Sequence, residues 1–302
     1  MIQRSMRYWK VLKQVTCSFQ EWPSLHRKSD GAAIAGPNNR FKFLANGYVV
    51  PCHFVRSEEF SDRLLVTLNG AVDRSESKDP REIFQRRTWI DSLNANVLMI
   101  SDATLHPDND LQIGWAQGNG TDALLCAMAE CVEYFRNLLG LRQDQVIFYG
   151  SSAGGFQAVA LHAWFPGSRF LVNNAQFDWT LYYPSYVRDI AEHSYGGLDV
   201  ENIRTAFPEK CNVLSRYLAL QLPISGCYML NVASAADMKK QLPVLSRFMA
   251  NRATEQPHVG MDISVKYYID RKAGHLPLPK DQTLKELSVQ LSLANPGRGN
   301  CE

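Results

Sequence analysis

The residues best suited to chemistry lie in a glycine-rich run between an apolar stretch and a helical pattern. Residues 145–149 form the apolar stretch, and Gly150, Ser152 and Gly154 follow at the spacing G-x-S-x-G. This motif carries a nucleophilic serine on a strained turn, provided that a strand precedes it and a helix follows. The pattern therefore predicts Ser152 as the nucleophile, whereas Ser151 stands outside the register of the motif. The alternative is a glycine-rich turn without chemistry.

A serine hydroxyl is a weak nucleophile at neutral pH, so it needs a general base, and the base needs an acid that orients it. His193, His258 and His275 follow Ser152 at a useful distance. His275 comes after the last strand pattern, residues 263–269, where loops at the carboxyl edge of an open α/β sheet gather ligands. His275 is therefore the predicted base, and a surface loop histidine is the alternative.

The orienting acid should also follow a strand. Asp237 comes shortly after the apolar run 227–232, which makes it the predicted acid. An N-cap aspartate of the next helix is the alternative for this residue. Asp178, after the run 169–173, is the second candidate for the acid. Either choice gives the chain order serine, acid, histidine.

Two backbone N–H groups are expected to hold the oxyanion that forms when the serine attacks a carbonyl group. One belongs to Ala153, the residue after the nucleophile. The other is assigned to Ala71, in the loop after the strand pattern 63–68. An ordinary Asn-Gly turn at this loop is the alternative.

The substrate pocket is predicted from loops on the same edge. Asn69 and Gly70 precede the second oxyanion donor, and Trp115 stands in a long loop after the strand pattern 97–101. A surface aromatic that anchors its loop is the alternative for Trp115. The tyrosines of residues 177–223 have the same ambiguity between a packed core and a substrate platform.

The composition excludes several classes of protein. The 302 residues are 45% apolar and 21% charged, as in globular proteins, and a net charge of +2 is too small to indicate nucleic acid or an anionic membrane as a partner. Seven scattered cysteines without a C-x-x-C pair suggest neither a disulfide framework nor a metal site, so a reducing, cytoplasmic location is expected. No stretch is typical of a signal peptide or a membrane span.

The order of patterns predicts an α/β fold. A hairpin signal around Asn46-Gly47 opens the domain, a helix is expected from Asp79-Pro80 through about Ser92, and strand and helix patterns then alternate. The prediction is a mostly parallel sheet of about eight strands with helices on both faces. Residues 1–40 are expected to be an N-terminal extension, 41–302 the domain, and about 177–223 a helical cap insertion.

The glycine-serine turn, Asp237 and Gly274-His275 together resemble the α/β-hydrolase superfamily over roughly residues 45–295. The doubled serine and doubled glycine, the run Asn174-Ala175-Gln176 and the closing Gly-His are similar to bacterial capsule polysaccharide O-acetyltransferases of this fold, and to glycan esterases. The longer N-terminal extension and the two alanines before Asp237 depart from that pattern.

The resemblance implies a serine-nucleophile esterase or O-acyltransferase that acts on carbohydrate-linked acyl groups through an acyl-enzyme. No cofactor is expected, with acetyl-CoA as the donor substrate if the enzyme is a transferase, and the partner is a small-molecule or glycan ester. Two alternatives stay open: a binding protein that keeps the fold without turnover, and a peptidase or thioesterase with the same machinery. The oligomeric state is open.

Overall fold

A computed structural model describes residues 18–21, 39–77 and 79–294. Within these ranges the chain forms one nine-stranded sheet in the order β1-β2-β3-β5-β4-β6-β7-β8-β9. Along the chain the strands are β1 Ser18–Glu21, β2 Asn39–Ala45, β3 Tyr48–Val55, β4 Leu64–Leu68, β5 Asn96–Ile100, β6 Val146–Ser151, β7 Arg169–Asn173, β8 Ile224–Asn231 and β9 Met261–Tyr268.

The sheet has an antiparallel beginning and a parallel body. Strands β1, β2, β3 and β5 pair antiparallel in that order, and every pairing from β5 through β4, β6, β7 and β8 to β9 is parallel. Every residue of β4, β5 and β6 is buried, because helices and loops cover both faces of these central strands. The predicted mostly parallel sheet is thus confirmed. The β1 strand lies within the predicted extension 1–40, most of which falls outside the described residues.

The helices cover the two faces of the sheet. They are α1 Ala123–Leu138, α2 Ala153–His162, α3 Pro184–Tyr195, α4 Val200–Ala206, α5 Pro208–Cys211, α6 Val213–Leu220, α7 Leu242–Glu255 and α8 Lys280–Leu293. All ten residues of α2 are buried, so this helix lies inside the protein, and α8 packs its Leu287 and Leu291 against the opposite face. None of the helices in the described ranges is both long and apolar enough to cross a membrane.

Helices α3 to α6 lie between β7 and β8, where the sequence predicts a cap insertion. They are anchored to the main core through apolar side chains such as Val187, Ile190 and Ile203. Whether they act as a cap over a substrate stays a prediction.

The single helix predicted over residues 79–92 is wrong. Two short 3₁₀ turns, Pro80–Glu82 and Arg87–Ser92, stand there instead. Between them Arg86 has a left-handed φ of 65°. The neighbouring Gln85 uses its side chain to bond the loop after β4, and a continuous helix would withdraw it. Tertiary hydrogen bonds therefore override the local helix signal.

The five cysteines in the described residues are free thiols. Four of them (Cys52, Cys131, Cys211 and Cys227) are buried, and Cys126 is partly buried. Burial raises the pKa of Cys126 to about 11, which leaves a protonated, unreactive thiol at neutral pH.

We predict that His162 makes the fold sensitive to mild acid. Its ring is buried between the Tyr217 hydroxyl at 2.8 Å and the Ser168 carbonyl oxygen at 3.0 Å, and burial lowers the pKa of His162 to about 4. An unfolded histidine binds a proton below about pH 6.5, whereas His162 in the folded protein resists it until about pH 4. The free energy of unfolding should therefore fall between these two pH values, by up to roughly 3 kcal/mol from this group.

Urea unfolding from pH 7 to pH 4 checks this prediction. The pH dependence of His162→Gln should be flatter than that of the wild type by about that amount. His258→Gln, made at an exposed histidine, controls for the substitution itself. Parallel profiles of wild type and His162→Gln would contradict the assignment.

Candidate active site

Ser152 occupies a strained turn between the end of β6 and the start of α2. Its backbone has φ 55° and ψ −124°, a region that side-chain-bearing residues rarely enter. The turn is held because the Ser152 N–H donates to the Asn173 carbonyl oxygen at 3.1 Å and its own carbonyl accepts from the Gly155 N–H at 3.0 Å. Strain of this kind persists only where the surrounding structure enforces it, and it lifts the hydroxyl off the carboxyl edge of the sheet.

The flanking glycines are required by close backbone contacts. A Cβ atom on Gly150 would lie 2.1 Å from the Gly154 carbonyl oxygen, and one on Gly154 would lie 2.5 Å from the Leu68 carbonyl oxygen. A Cβ atom on Gly155 would meet the Ala175 Cβ at 2.4 Å. These three glycines let α2 start directly against the ends of neighbouring strands, as the G-x-S-x-G spacing indicates.

The structure brings Ser152, His275 and Asp237 into one hydrogen-bonded chain. Ser152 Oγ lies 2.9 Å from His275 Nε2, and His275 Nδ1 lies 2.7 Å from Asp237 Oδ2. The Asp237 carboxylate is buried, whereas the His275 side chain is 23% exposed. The Ser234 hydroxyl also donates to Asp237 Oδ2 and helps to hold the carboxylate in place.

Asp178, the other candidate acid, serves a local structure. Its carboxylate caps a short turn by accepting from the N–H and the hydroxyl of Thr180. Its backbone N–H and carbonyl are both bonded by the Gln241 side chain. Asp237 is therefore the carboxylate in contact with His275.

Ser151 has a different environment from its neighbour. Its hydroxyl accepts a hydrogen bond of 2.6 Å from the Arg86 guanidinium, which stacks over the Tyr149 ring at 4.9 Å. Ser152 is therefore the serine of the pair that meets His275.

Three buried asparagines position the loop that carries His275. The Asn174 amide donates to the His275 carbonyl oxygen at 3.0 Å, and the Asn231 amide donates to the carbonyl oxygens of Asp270 and Gly274. Asn173 accepts from the backbone N–H of residue 278 at 2.7 Å. We call Asn173, Asn174 and Asn231 the asparagine clamp. These asparagines lie at or directly after the ends of β7 and β8, and they fix a loop that has no regular structure of its own.

Sequence reasoning assigned no role to the clamp or to Gln176, which contacts the reacting atoms. Gln176 Nε2 lies 2.9 Å from Ser152 Oγ and 3.2 Å from His275 Nε2. The signal in the sequence was a polar run directly after an apolar strand, at the edge where ligands gather. The run supports the family resemblance but does not by itself predict a contact with Ser152.

Trp115 lies behind Gln176 rather than on an open pocket wall. It is fully buried, and its indole N–H donates to Gln176 Oε1 at 3.0 Å. Its ring stacks on Trp179 with centroids 5.8 Å apart and meets the Tyr182 ring edge-on at 5.7 Å. Trp115 thus supports the site from beneath.

The loop after β4 lies beside Ser152. A Cβ atom on Gly70 would be 3.8 Å from the Ser152 Cβ. The buried Asn69 side chain fixes the loop by bonding the Ile83 carbonyl and the Gln85 N–H, so it does not point to a substrate. Gln85 in turn bonds the Gly70 N–H and the Ala71 carbonyl.

The two predicted oxyanion donors differ in what holds them. The Ala153 N–H is the first of α2, where N–H groups have no partner within the helix and carry positive potential. Ala71 is exposed next to Gly70, and the Gln85 side chain holds both residues. Their joint action on an oxyanion stays a prediction.

An aromatic surface borders the site. The Tyr182 ring lies 5.8 Å from the His275 ring, with Tyr183 at 4.7 Å and Tyr186 at 5.9 Å from Tyr182. Burial raises the pKa of Tyr182 to about 12, so its hydroxyl keeps its proton at neutral pH. About half of the Tyr183 side chain is open to solvent. These rings offer an apolar face next to the base.

No group of three or more histidine, cysteine, aspartate or glutamate side chains suited to a metal ion occurs in the described ranges. A hydroxyl, an imidazole and a buried carboxylate in hydrogen-bond sequence can move a proton off the serine and stabilise the resulting imidazolium.

The chain is similar in structure to several enzymes. The capsule O-acetyltransferase of Neisseria meningitidis serogroup A has a TM-score of 0.59 at 15% identity, with 84% of this chain and 94% of that chain covered. Acetyl xylan esterase 1 from Thermoanaerobacterium sp. JW/SL YS485 has a TM-score of 0.59 at 13% identity, with 96% and 93% covered. The Pyrococcus horikoshii acylaminoacyl peptidase has a TM-score of 0.56 at 11% identity, with 92% of this chain and 47% of that chain covered.

These structural likenesses establish the fold alone, because the sequence identities are too low to show a shared activity. The chain has the α/β-hydrolase fold, as the sequence resemblance predicts. No protein-family model matches the chain, and neither does any curated protein sequence.

We predict that Gly150→Ala disrupts the turn at Ser152. The added Cβ would lie 2.1 Å from a backbone oxygen of Gly154, so the start of α2 must move. The free energy of unfolding should fall by about 3 kcal/mol, and Ser152 should react more slowly with a fluorophosphonate probe.

Urea unfolding and labelling kinetics measure the two effects. Gly260→Ala is the matched control, because its nearest new contact is the Pro223 Cβ at an ordinary 3.8 Å. If Gly150→Ala equals Gly260→Ala in both measurements, the close contact does not hold the turn.

Proposed function

We propose that the protein is a serine esterase or O-acyltransferase that works through an acyl-enzyme. The single observation that carries this proposal is the continuous chain Ser152–His275–Asp237, with heavy-atom separations of 2.9 and 2.7 Å. Both distances are within the range over which a general base takes a proton. The fold, in which related enzymes are esterases, acetyltransferases and peptidases, agrees with acyl transfer in general.

In the proposed mechanism, Ser152 Oγ attacks the ester carbonyl carbon while His275 Nε2 takes the serine proton. Asp237 orients the ring and stabilises the imidazolium. The N–H groups of Ala153 and Ala71 hold the oxyanion. His275 then gives its proton to the leaving alcohol, and the acyl group remains on Ser152 until water or another hydroxyl accepts it.

The surroundings of Ser152 favour a short acyl group on a carbohydrate. Gln176 and Trp115 are fully buried and fill the space beneath Oγ, which leaves little room there for a long acyl chain. The aromatic surface of Tyr182, Tyr183 and Tyr186 gives a sugar ring an apolar face next to His275. The named substrates of two structural neighbours, a capsule and an acetyl xylan, agree with this choice.

Hydrolysis and transfer use the same acyl-enzyme and differ in the acceptor. One structure of the Neisseria meningitidis capsule O-acetyltransferase, that of a histidine-to-alanine mutant, is a complex with CoA and has a TM-score of 0.58 to this chain. Acetyl-CoA is accordingly the donor to test first. The cytoplasmic location stays a prediction.

We predict that Asp237→Asn removes most of the esterase activity while Asp178→Asn retains it. An asparagine at position 237 would favour the wrong tautomer of His275 and could not stabilise the imidazolium, a defect that costs about 10⁴-fold in kcat in the serine protease reference case. The Asp178 carboxylate caps a turn and should matter for stability instead.

The kcat and KM for hydrolysis of 4-nitrophenyl acetate, measured for Asp237→Asn and Asp178→Asn, test this prediction. Both variants must first show the wild-type circular dichroism spectrum. Equal losses in the two variants, or full activity in Asp237→Asn, would remove Asp237 from the mechanism.

The acceptor is tested by supplying acetyl-CoA with and without glycan acceptors. A transferase releases free CoA faster when the acceptor is present and forms an acetylated glycan, whereas an esterase deacetylates acetylated glycans in water. Consumption of neither donor, by a protein that reacts at Ser152 with fluorophosphonate, would overturn the carbohydrate ester as the substrate class.

A further inference from the structure

Gln176 contacts both atoms between which the proposed reaction first moves a proton. Its side-chain nitrogen Nε2 is 2.9 Å from Ser152 Oγ and 3.2 Å from His275 Nε2. Its backbone N–H donates to the Ser152 carbonyl oxygen at 3.3 Å, so the two residues are tied together by main chain as well as side chain. The side chain is fully buried, and it therefore has one well-defined place.

The orientation of the Gln176 amide is set by Trp115. An indole N–H can only donate, and it meets Gln176 Oε1 at 3.0 Å, which turns the amide NH₂ toward Ser152 and His275. Trp115 cannot easily move away, because it is buried against Trp179. The amide therefore turns its NH₂ group toward His275 and Ser152, and Nε2 lies nearer to Ser152 Oγ, at 2.9 Å, than Oε1 does, at 3.3 Å.

The backbone around Trp115 is itself held in an unusual conformation. Trp115 and Ala116 both have left-handed φ angles, of 47° and 51°. The buried carboxylate of Asp102 accepts from the Ala116 N–H at 2.8 Å, and it also fills the space where Gly114 would carry a Cβ. Strained residues that are held by buried hydrogen bonds commonly serve a site, and here they fix the direction of one amide.

A donor at this place matters most after the serine has attacked. In the free enzyme Ser152 Oγ can give its proton to His275 and accept from Gln176. Once Oγ is bonded to carbon, His275 carries the proton, and the leaving atom must come within hydrogen-bond distance of His275 Nε2 to receive it. Because Gln176 Nε2 is 3.2 Å from that nitrogen and 2.9 Å from Ser152 Oγ, a leaving atom that approaches His275 on the side of Gln176 can bond both groups.

We propose that Gln176 is a further catalytic residue that donates a hydrogen bond to the oxygen of the departing alcohol, and so adapts the site to esters of weakly acidic alcohols such as sugar hydroxyls. This inference rests on the proposed function, since it concerns the same acyl transfer. An alcohol oxygen has two lone pairs, so it can take the proton of His275 and accept from Gln176 at once.

The step is balanced without any further reactant. The bond between Ser152 Oγ and the carbonyl carbon is formed, the bond from that carbon to the alcohol oxygen breaks, and the proton on His275 Nε2 goes to the alcohol oxygen. Gln176 keeps both of its protons and only stabilises the charge that develops on the leaving oxygen. In the reverse direction the same donor orients an attacking hydroxyl.

The experiment compares two acetyl esters in wild type and Gln176→Met. A 4-nitrophenolate leaves as a stable anion and needs little help, whereas a simple alcohol such as ethanol must be protonated as it leaves. We expect the kcat/KM of ethyl acetate to fall at least about tenfold more than that of 4-nitrophenyl acetate, as loss of a hydrogen bond to a charged group predicts. A residue that merely held Ser152 in place would lower both values equally.

Two further variants make the result decisive. Trp115→Phe keeps Gln176 but removes the indole N–H that orients it, so the same ratio should shift in the same direction, even if Gln176→Met does not fold. Gln256→Met is the matched control, since Gln256 bonds the Leu218 carbonyl oxygen away from the site and its loss should leave the ratio unchanged.

The possible outcomes separate this inference from the proposed function. A wild type that hydrolyses both esters, with an unchanged ratio in Gln176→Met or, where that variant does not fold, in Trp115→Phe, overturns the role of Gln176 and leaves the function intact. A wild type that hydrolyses neither ester and does not react at Ser152 with fluorophosphonate overturns the proposed function, and this inference falls with it.

Discussion

The contact between two pieces of backbone at the end of β6 is the constraint on which the site depends. Gly150 lies against the backbone of Gly154, and Gly154 lies against the backbone of Leu68, so no side chain fits on either glycine. Between them Ser152 has a backbone conformation that side-chain-bearing residues rarely adopt. This compression lifts Oγ above the carboxyl edge of the sheet. Since the ends of parallel strands meet at one edge, the loops after β7, β8 and β9 bring their side chains to the same point.

Hydrogen bonds from polar side chains, rather than regular secondary structure, set the positions of His275 and Gln176. The asparagine clamp binds backbone carbonyls of the loop that carries His275, and all three of its members are fully buried. A buried amide that lost its partners would cost free energy, so the clamp and the loop stabilise one another. The same reasoning holds for Trp115 and Gln176, whose shared hydrogen bond turns the NH₂ group of the amide toward Ser152 and His275.

Much of this arrangement could be predicted from the sequence because it depends on local pattern. The strand before Ser152, the helix after it and the small residues between them are all visible as periodicity and residue size. The carboxyl edge of the sheet then predicts where His275 and Asp237 lie, and these residues contact one another and, through His275, Ser152. The parallel body of the sheet follows from the same alternation of strands and helices.

The rest depends on contacts between segments that are distant in sequence. The helix expected over residues 79–92 gives way to two turns because the Gln85 side chain bonds the loop after β4. The position of Trp115 in a long loop predicts an aromatic side chain in the substrate pocket. In the structure its backbone is left-handed and its side chain is buried behind Gln176. Gln176 and the asparagine clamp belong to no periodic pattern in the sequence. The direction of a polar side chain after a strand depends on its hydrogen-bond partners, and these lie in segments distant in sequence.

In the proposed mechanism Ser152 carries the acyl group during turnover. Rapid acid quenching of the protein with an acetyl ester, followed by peptide mass spectrometry, tests it most directly. One acetyl group is expected on the peptide that contains Ser152, and none in Ser152→Ala. Ester turnover by the wild type with no acetyl group on Ser152, or turnover at the wild-type rate by Ser152→Ala, would contradict it.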